Sequence, residues 1–398
     1  MSVVPRILLI SSNSSARGGG ERYLIYLTQG LRQLGAHVSA LLSDVDYMDG
    51  WAEGLAEAGA DVWRRPLLGL RSRPLRFVQA IGDRKQQQAI AAACRDISPD
   101  GVLVNQQYDE DGLDFVAGAL AADVCPVMGL MHMPMTATKN QRPLGRWRGM
   151  LLDRWFERHP YRLALVSEGC RREFEQYYRH PRPTHLVYYG CPFLETTNPE
   201  TANSPETAAP ALPLHWRHDV PTVAFSGQLV PQKNMMLMVN AWLWLRQQGV
   251  PAQLLLVGDG PDRAAIEQRL QSSTVSSQDW HITGWQTHPE AFYPAMDLYA
   301  TTSHFEGLPL SLLEVVGRGI PAVATDFNGA SDVAERAAWV KVAPERTAAG
   351  VGGAMQEAIA QLDERKRLAR EGCSGFREYF SLARMAKDTL AVMGLTAG

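Results

Sequence analysis

The chain has 398 residues, enough for two domains of ordinary size, each with its own buried core. With 45% hydrophobic and 20% charged residues it has the composition of a globular protein, and a formal net charge of -3 excludes a nucleic-acid binder that works through a global basic field. Five dispersed cysteines, at positions 94, 125, 170, 191 and 373, lack Cys-x-x-Cys spacing, which excludes a disulfide framework or zinc site and reads as reduced thiols in a cytosol.

The amino terminus reads as a first strand ending in Arg6 to Ile10 and not as a signal sequence. Ser11 to Gly20 is turn-rich, and Glu21 to Leu34 then has helical periodicity that Gly35 stops. A second strand follows at His37 to Leu42, which completes a βαβ unit. Its glycine loop, Gly18, Gly19 and Gly20, lies after the first strand, where open parallel sheets bind ligands. Those glycines also suit a plain tight turn into a helix. Position 23 is Tyr where a dinucleotide fingerprint needs Gly, which argues against a dehydrogenase. Asp44-Val-Asp46 and Asp109-Glu-Asp111 offer hard oxygen ligands for a divalent cation, but the triplet is common and no metal is expected.

Further strands are expected at Pro126 to His132, Leu163 to Glu168 and His185 to Gly190. A lone histidine beside apolar residues is ordinarily structural, yet His132 ends its strand at the edge where ligands bind and is a catalytic candidate. Two basic clusters interleave with apolar side chains. One runs through Arg64, Arg65, Arg71, Arg73 and Arg76 with Leu67, Leu68, Leu70, Leu75 and Phe77. The other lies between Lys139 and Arg182 with Trp147, Trp155, Phe156, Tyr161, Tyr177 and Tyr178. Each suits either an anionic membrane surface or a solvated face whose arginine stems cover a core. No apolar run approaches the roughly 18 residues of a membrane span, so membrane contact is expected to be peripheral.

Glu195 to Leu214 breaks the pattern and reads as an interdomain linker, assigned to residues 195–219 between a domain at 1–194 and one at 220–376. The second half repeats strand, glycine turn and helix at Thr222 to Asn234, Leu254 to Pro261 and Ile282 to Trp285. A strand at Ala295 to Ala300 then leads through Thr301 to Glu314 into a helix. There Gly307 permits close approach of the backbone, and Pro309 fits the first helical turn. The free amides of Gly307, Leu308, Leu310 and Ser311, with the positive end of the helix dipole, make an anion site. Glu306 and Glu314 bracket it as acceptors that suit sugar hydroxyls, a combination that fits a nucleotide sugar. An amphipathic helix closes the chain, assigned to residues 377–398.

Glu306-x7-Glu314, with Gly-Leu-Pro-Leu between and Gly317 to Thr325 after, resembles the donor-binding signature of family 4 glycosyltransferases. The resemblance implies a GT-B fold, two doubly wound, Rossmann-like parallel-sheet domains facing a cleft, and retaining transfer of a hexose without a metal or other cofactor. It places Gly18, Gly19 and Gly20 at the cleft, His132 on the donor sugar, and Gly227, Gln228 and Lys233 at the diphosphate. Gly258 and Gly284 fall in family loops, the latter passing the nucleobase. It also implies that the last helix returns to the first domain. Gln228 stands where the family has an arginine, which leaves Arg17, Arg22 or Arg318 to supply the missing charge. The expected partners are a nucleotide-sugar donor and a saccharide or lipid-linked acceptor of envelope polysaccharide assembly, handled in the cytoplasm or at the inner membrane face. An epimerase of the same fold and a non-catalytic sugar-nucleotide binder are the alternatives.

Overall fold

The computed structural model describes residues 4–11, 19–69, 76–135, 144–193 and 212–396. The chain divides into two units, Met1–Pro192 with Phe380–Gly398, and Phe193–Tyr379.

In the first unit seven parallel strands are described: β1 (Arg6–Ser11), β2 (His37–Ser43), β3 (Ala60–Arg65), β4 (Gly101–Gln106), β5 (Val127–Met131), β6 (Arg162–Leu165) and β7 (His185–Leu186). Their order is β3-β2-β1-β4-β5-β6-β7. β4 and β5 are buried along their whole length and β1 beyond Arg6, as continuous apolar runs covered on both faces must be. Leu9 sits beside Ala40 on one neighbour and Leu103 on the other. Because the chain leaves β1 toward β2 and later returns to place β4 on its opposite side, the crossovers diverge there and open a crevice at the carboxyl edge. The helix Gly19–Gln33 ends before Gly35, whose φ of +83° favours glycine and makes the stop.

The second unit repeats the plan with six parallel strands: β8 (Thr222–Ser226), β9 (Gln253–Val257), β10 (Trp280–Ile282), β11 (Leu298–Thr301), β12 (Ala322–Ala324) and β13 (Val340–Val342). Their order is β10-β9-β8-β11-β12-β13, so its crossovers diverge between β8 and β11.

Two boundaries differ from expectation. Residues 195–211 of the assigned linker lie outside the described residues, but 212–219, though mostly exposed, are anchored in the second unit at Trp216 and Arg217. There Trp216 is buried, and Gln253 ties down Arg217 through both its backbone amide and its carbonyl. The helix Leu362–Tyr379 runs past residue 376, and the terminal helix is Leu382–Met393, capped by Ser381. This last helix lies in the first unit, where the Leu382 carbonyl approaches so closely that a Cβ on Gly30 would meet it at 2.5 Å.

The basic clusters also resolve unevenly. Arg71 and Arg73 lie outside the described residues, and Arg64 is structural, donating to the carbonyls of Ser43 and Val45 and pairing with Asp49. Trp155, Phe156, Tyr161 and Tyr178 are core residues rather than surface anchors. The carboxylates after β4 are individually occupied. Tyr178 donates to Asp109, Arg148 forks onto Glu110, and the Gln107 amide donates to Asp111 over 3.0 Å. Asp44 and Asp46 are exposed and do not converge with them.

Glu110 is buried, with its side chain 1% exposed against 16% for Arg148. Breaking the pair leaves an uncompensated buried charge. Arg148→Ala is expected to cost about 3 to 5 kcal/mol in a urea unfolding curve, whereas the exposed Arg154→Ala on the same helix changes it little.

Candidate active site

The loops that follow β8 and β11, neighbouring strands of the second sheet, meet above the carboxyl edge. Lys233 comes from the first and Glu306 from the second, and Nζ lies 2.5 Å from Oε1. Ser303 donates to the same carboxylate oxygen over 3.0 Å. The backbone is stitched as closely: His304 N donates to Gln232 O, Gln232 Nε2 donates to Phe305 O, and Thr302 Oγ1 donates to Asn234 O, at 2.8, 3.0 and 3.0 Å. Thr325, at the end of β12, donates to Ser303 O over 3.0 Å. The lysine and glutamate therefore neutralise one another in a largely dry setting, with side chains 19% and 9% exposed.

From Glu306 to Leu310 the chain is buried, with Leu308 and Leu310 anchored in the core. The helix starts at Leu310, so Pro309 sits one residue ahead as its N-cap with ψ 123°. Its extended ψ turns the chain before helical hydrogen bonding begins, and the first amides of the helix, including Leu310 and Ser311, have no intrahelical partner. Ser311 is half-buried. Glu314, 8% exposed, accepts from the Tyr293 hydroxyl over 2.7 Å. Burial, with the neighbouring Glu314 carboxylate, pushes that phenol well above its ordinary range, so Tyr293 is a fixed donor. Arg318 lies over the Tyr293 ring at 5.0 Å and donates to the Glu314 carbonyl.

Gly227, Gly258 and Gly284 end three adjacent strands and form a row. Their φ values are +150°, +143° and +75°, and a Cβ on Gly258 would lie 2.0 Å from Gly227 O. Gly258 and Gly284 are joined by an isolated antiparallel bridge. The result is a shelf of bare backbone beside the Lys233 loop. Gln228 is half-buried next to it.

In the first unit, Gly18 and Arg17 lie outside the described residues. Gly19 is exposed at the helix start, and Gly20 is buried where a Cβ would meet the Gln107 carboxamide at 2.4 Å. Arg22 lies over the Tyr26 ring at 5.8 Å. His132 stands just past the end of β5 but is only 3% exposed. Its Nε2 lies 2.6 Å from Asn105 Oδ1 and its Nδ1 faces the Tyr189 hydroxyl. A neutral ring that donates from Nε2 and accepts at Nδ1 satisfies both, and burial pushes its pKa down to about 3. Asn105 continues the chain by donating to Ser11 Oγ at 3.3 Å.

Several of these groups escaped sequence reasoning. Asn105 and Gln106 end the apolar run of β4 with polar side chains, which was a usable signal. Ser303, Tyr293 and Tyr189 carried none, because their partners are distant in sequence or set by loop geometry.

The model for the glycosyl transferase 4-like domain matches residues 18–190, and that for glycosyl transferases group 1 matches residues 220–362. The chain is 25% identical over 249 residues to the alpha-D-kanosaminyltransferase of Streptomyces kanamyceticus, a match covering 60% of this chain and 62% of that protein. It is 25% identical over 223 residues to the lipopolysaccharide core biosynthesis glycosyltransferase LpsD of Rhizobium meliloti, covering 50% and 63%. The chain thus spans less than two thirds of the length of these relatives. Among solved structures, Anabaena HepE in complex with UDP and glucose superposes with a TM-score of 0.72 at 15% identity, covering 98% of this chain and 99% of that one.

Two outcomes follow from the packing. Gly258→Ala places a Cβ against Gly227 O in a left-handed conformation and should lower the melting temperature by the equivalent of about 2 kcal/mol or more, whereas Gly353→Ala, in a helix with open space beside it, should be neutral or stabilising. Because the folded pKa of His132 is depressed, its neutral form contributes stability that is complete above the unfolded pKa near 6.5 and is lost as pH falls from there toward about 3. A His132→Leu variant should show a shallower loss of stability between those pH values in urea unfolding curves.

Proposed function

The first half of this chain belongs to the glycosyl transferase 4-like domains and the second to the group 1 glycosyl transferases, on a GT-B fold, and from that premise we propose that it is a retaining glycosyltransferase. It moves a hexose from a nucleoside-diphosphate sugar, held by the second unit, to a saccharide or lipid-linked saccharide held by the first. The ion pair of Lys233 with Glu306, beside a helix start with unpartnered amides, is the observation that carries this reading.

The chemistry is an exchange of partners. An arriving diphosphate takes the ammonium of Lys233, with the amides at Leu310 and Ser311, and so stabilises the negative charge that grows as the sugar departs. Glu306, released, accepts from the sugar hydroxyls. Glu314, held by Tyr293 through one oxygen, turns toward the ribose. His132 is neutral, and with its ring nitrogens taken by Asn105 and Tyr189 it braces the carboxyl end of β5. Gly227, Gly258 and Gly284 give the nucleotide a surface free of side chains. LpsD is named for lipopolysaccharide core biosynthesis, which supports an envelope glycan as acceptor; a lipid-linked acceptor of that kind would be met at the cytoplasmic face of the inner membrane.

Calorimetry with UDP, GDP and ADP, followed by transfer assays from the matching sugar nucleotide, tests the reading. Lys233→Ala should weaken diphosphate binding by about 1.5 to 3 kcal/mol, the worth of a charge-assisted hydrogen bond, and Glu306→Gln should abolish transfer while leaving the nucleoside diphosphate bound. Donor binding without transfer to any acceptor would make the chain a binding module. Release of an epimerised nucleotide sugar without acceptor would make it an epimerase.

A further inference from the structure

The helix Gly145–Arg158 of the first unit carries four arginines, and they divide by direction. Arg148 turns inward to Glu110, while Arg146, Arg154 and Arg158 are exposed. Leu152, Trp155 and Phe156 fill the buried face. Spacings of three and four residues put Trp147, Met150, Arg154 and Arg158 on one stripe of the opposite side. Trp147 and Met150 are 44% and 49% exposed there, and Leu144, just ahead of the helix, is 72% exposed. Surface helices in water seldom show an indole and two long aliphatic side chains together in their first turns.

On the flank of the stripe the Arg179 amide donates to Asp153, and Arg179 itself is exposed. Asp153 beside Arg154 accepts that amide, and Glu157 beside Arg158 is exposed at the stripe's edge, so two carboxylates flank the arginines. On the stripe itself basic charge and apolar bulk coincide.

We propose that the outward stripe Trp147, Met150, Arg154 and Arg158 is a docking face for an anionic lipid surface. The indole and thioether enter the boundary between headgroups and acyl chains while the guanidinium groups bind headgroup phosphates. Charge complementarity selects a lipid surface over a protein partner, since the stripe itself pairs its apolar anchors with Arg154 and Arg158 and carries no carboxylate, the acidic residues Asp153 and Glu157 lying on its flank. The inference deepens the glycosyltransferase reading, on which its use in presenting a lipid-linked acceptor rests. The docking face itself is testable without turnover.

Flotation of the full-length protein with vesicles of phosphatidylcholine, with and without phosphatidylglycerol, provides that test. Recovery is expected with phosphatidylglycerol only and should fall as salt is raised. Arg154→Gln with Arg158→Gln should weaken vesicle binding by roughly thirtyfold, about fivefold for each basic residue removed. Trp147→Ser with Met150→Ser should also lose binding, while circular dichroism and nucleoside-diphosphate binding in solution stay unchanged. Equal recovery with both vesicles, recovery with neither, variants that float like the wild type, or a dimer that the Trp147 and Met150 variant dissolves in sedimentation velocity would each overturn the proposal. A donor that fails to bind in calorimetry would instead overturn the glycosyltransferase reading, leaving the flotation result standing.

Discussion

The contact between Lys233 and Glu306 is the constraint around which the second unit's loops are arranged. Two charges held mostly out of water are tolerable only as a pair, because removing either leaves the other desolvated without compensation. The pair demands that the loops after β8 and β11 meet, and the hydrogen bonds from His304, Gln232 and Thr302 hold that meeting. It also defines the chemistry available there. The pair sets one cation and one carboxylate acceptor side by side at that edge.

The first unit uses buried polarity differently. Asp109, Glu110 and Asp111 are consumed by Tyr178, Arg148 and the Gln107 amide, and they serve to lock the turn after β4. His132 belongs to the chain Tyr189, His132, Asn105, Ser11, whose members satisfy one another away from solvent. Desolvation keeps the ring neutral, so it serves this chain as an oriented hydrogen-bonding group and not as an acid.

The departure at Gln228 acquires meaning in this setting. An amide brings donors without charge, so Lys233 is the cation that this loop itself supplies beside the helix start. Arg318, which sequence offered as a substitute, is occupied with Tyr293 and the Glu314 carbonyl. Arg346 donates to the carbonyl of His304 and so reaches the same turn from the loop after β13, a placement that nothing in its local sequence announces.

Much of this protein was legible in the order of its residues. Alternating apolar runs and helical periodicity revealed two doubly wound halves, and Glu306, Glu314, Lys233 and the glycine turns marked one edge of the second, because strand, turn and helix signals are local and survive without a partner in view. Sequence could not tell Arg148 from Arg154, nor Trp155 from Trp147, since each pair has the same chemistry and differs only in which side of one helix the core occupies. It placed His132 at a strand end without revealing that Asn105 and Tyr189 enclose it, and it took 212–219 for linker where Trp216 is packed. Residue type and spacing decided the fold and which residues gather at the edge beside Lys233 and Glu306. Burial, pairing and exposure were decided by the tertiary structure alone, because they depend on side chains brought together from distant strands by packing that no local pattern encodes.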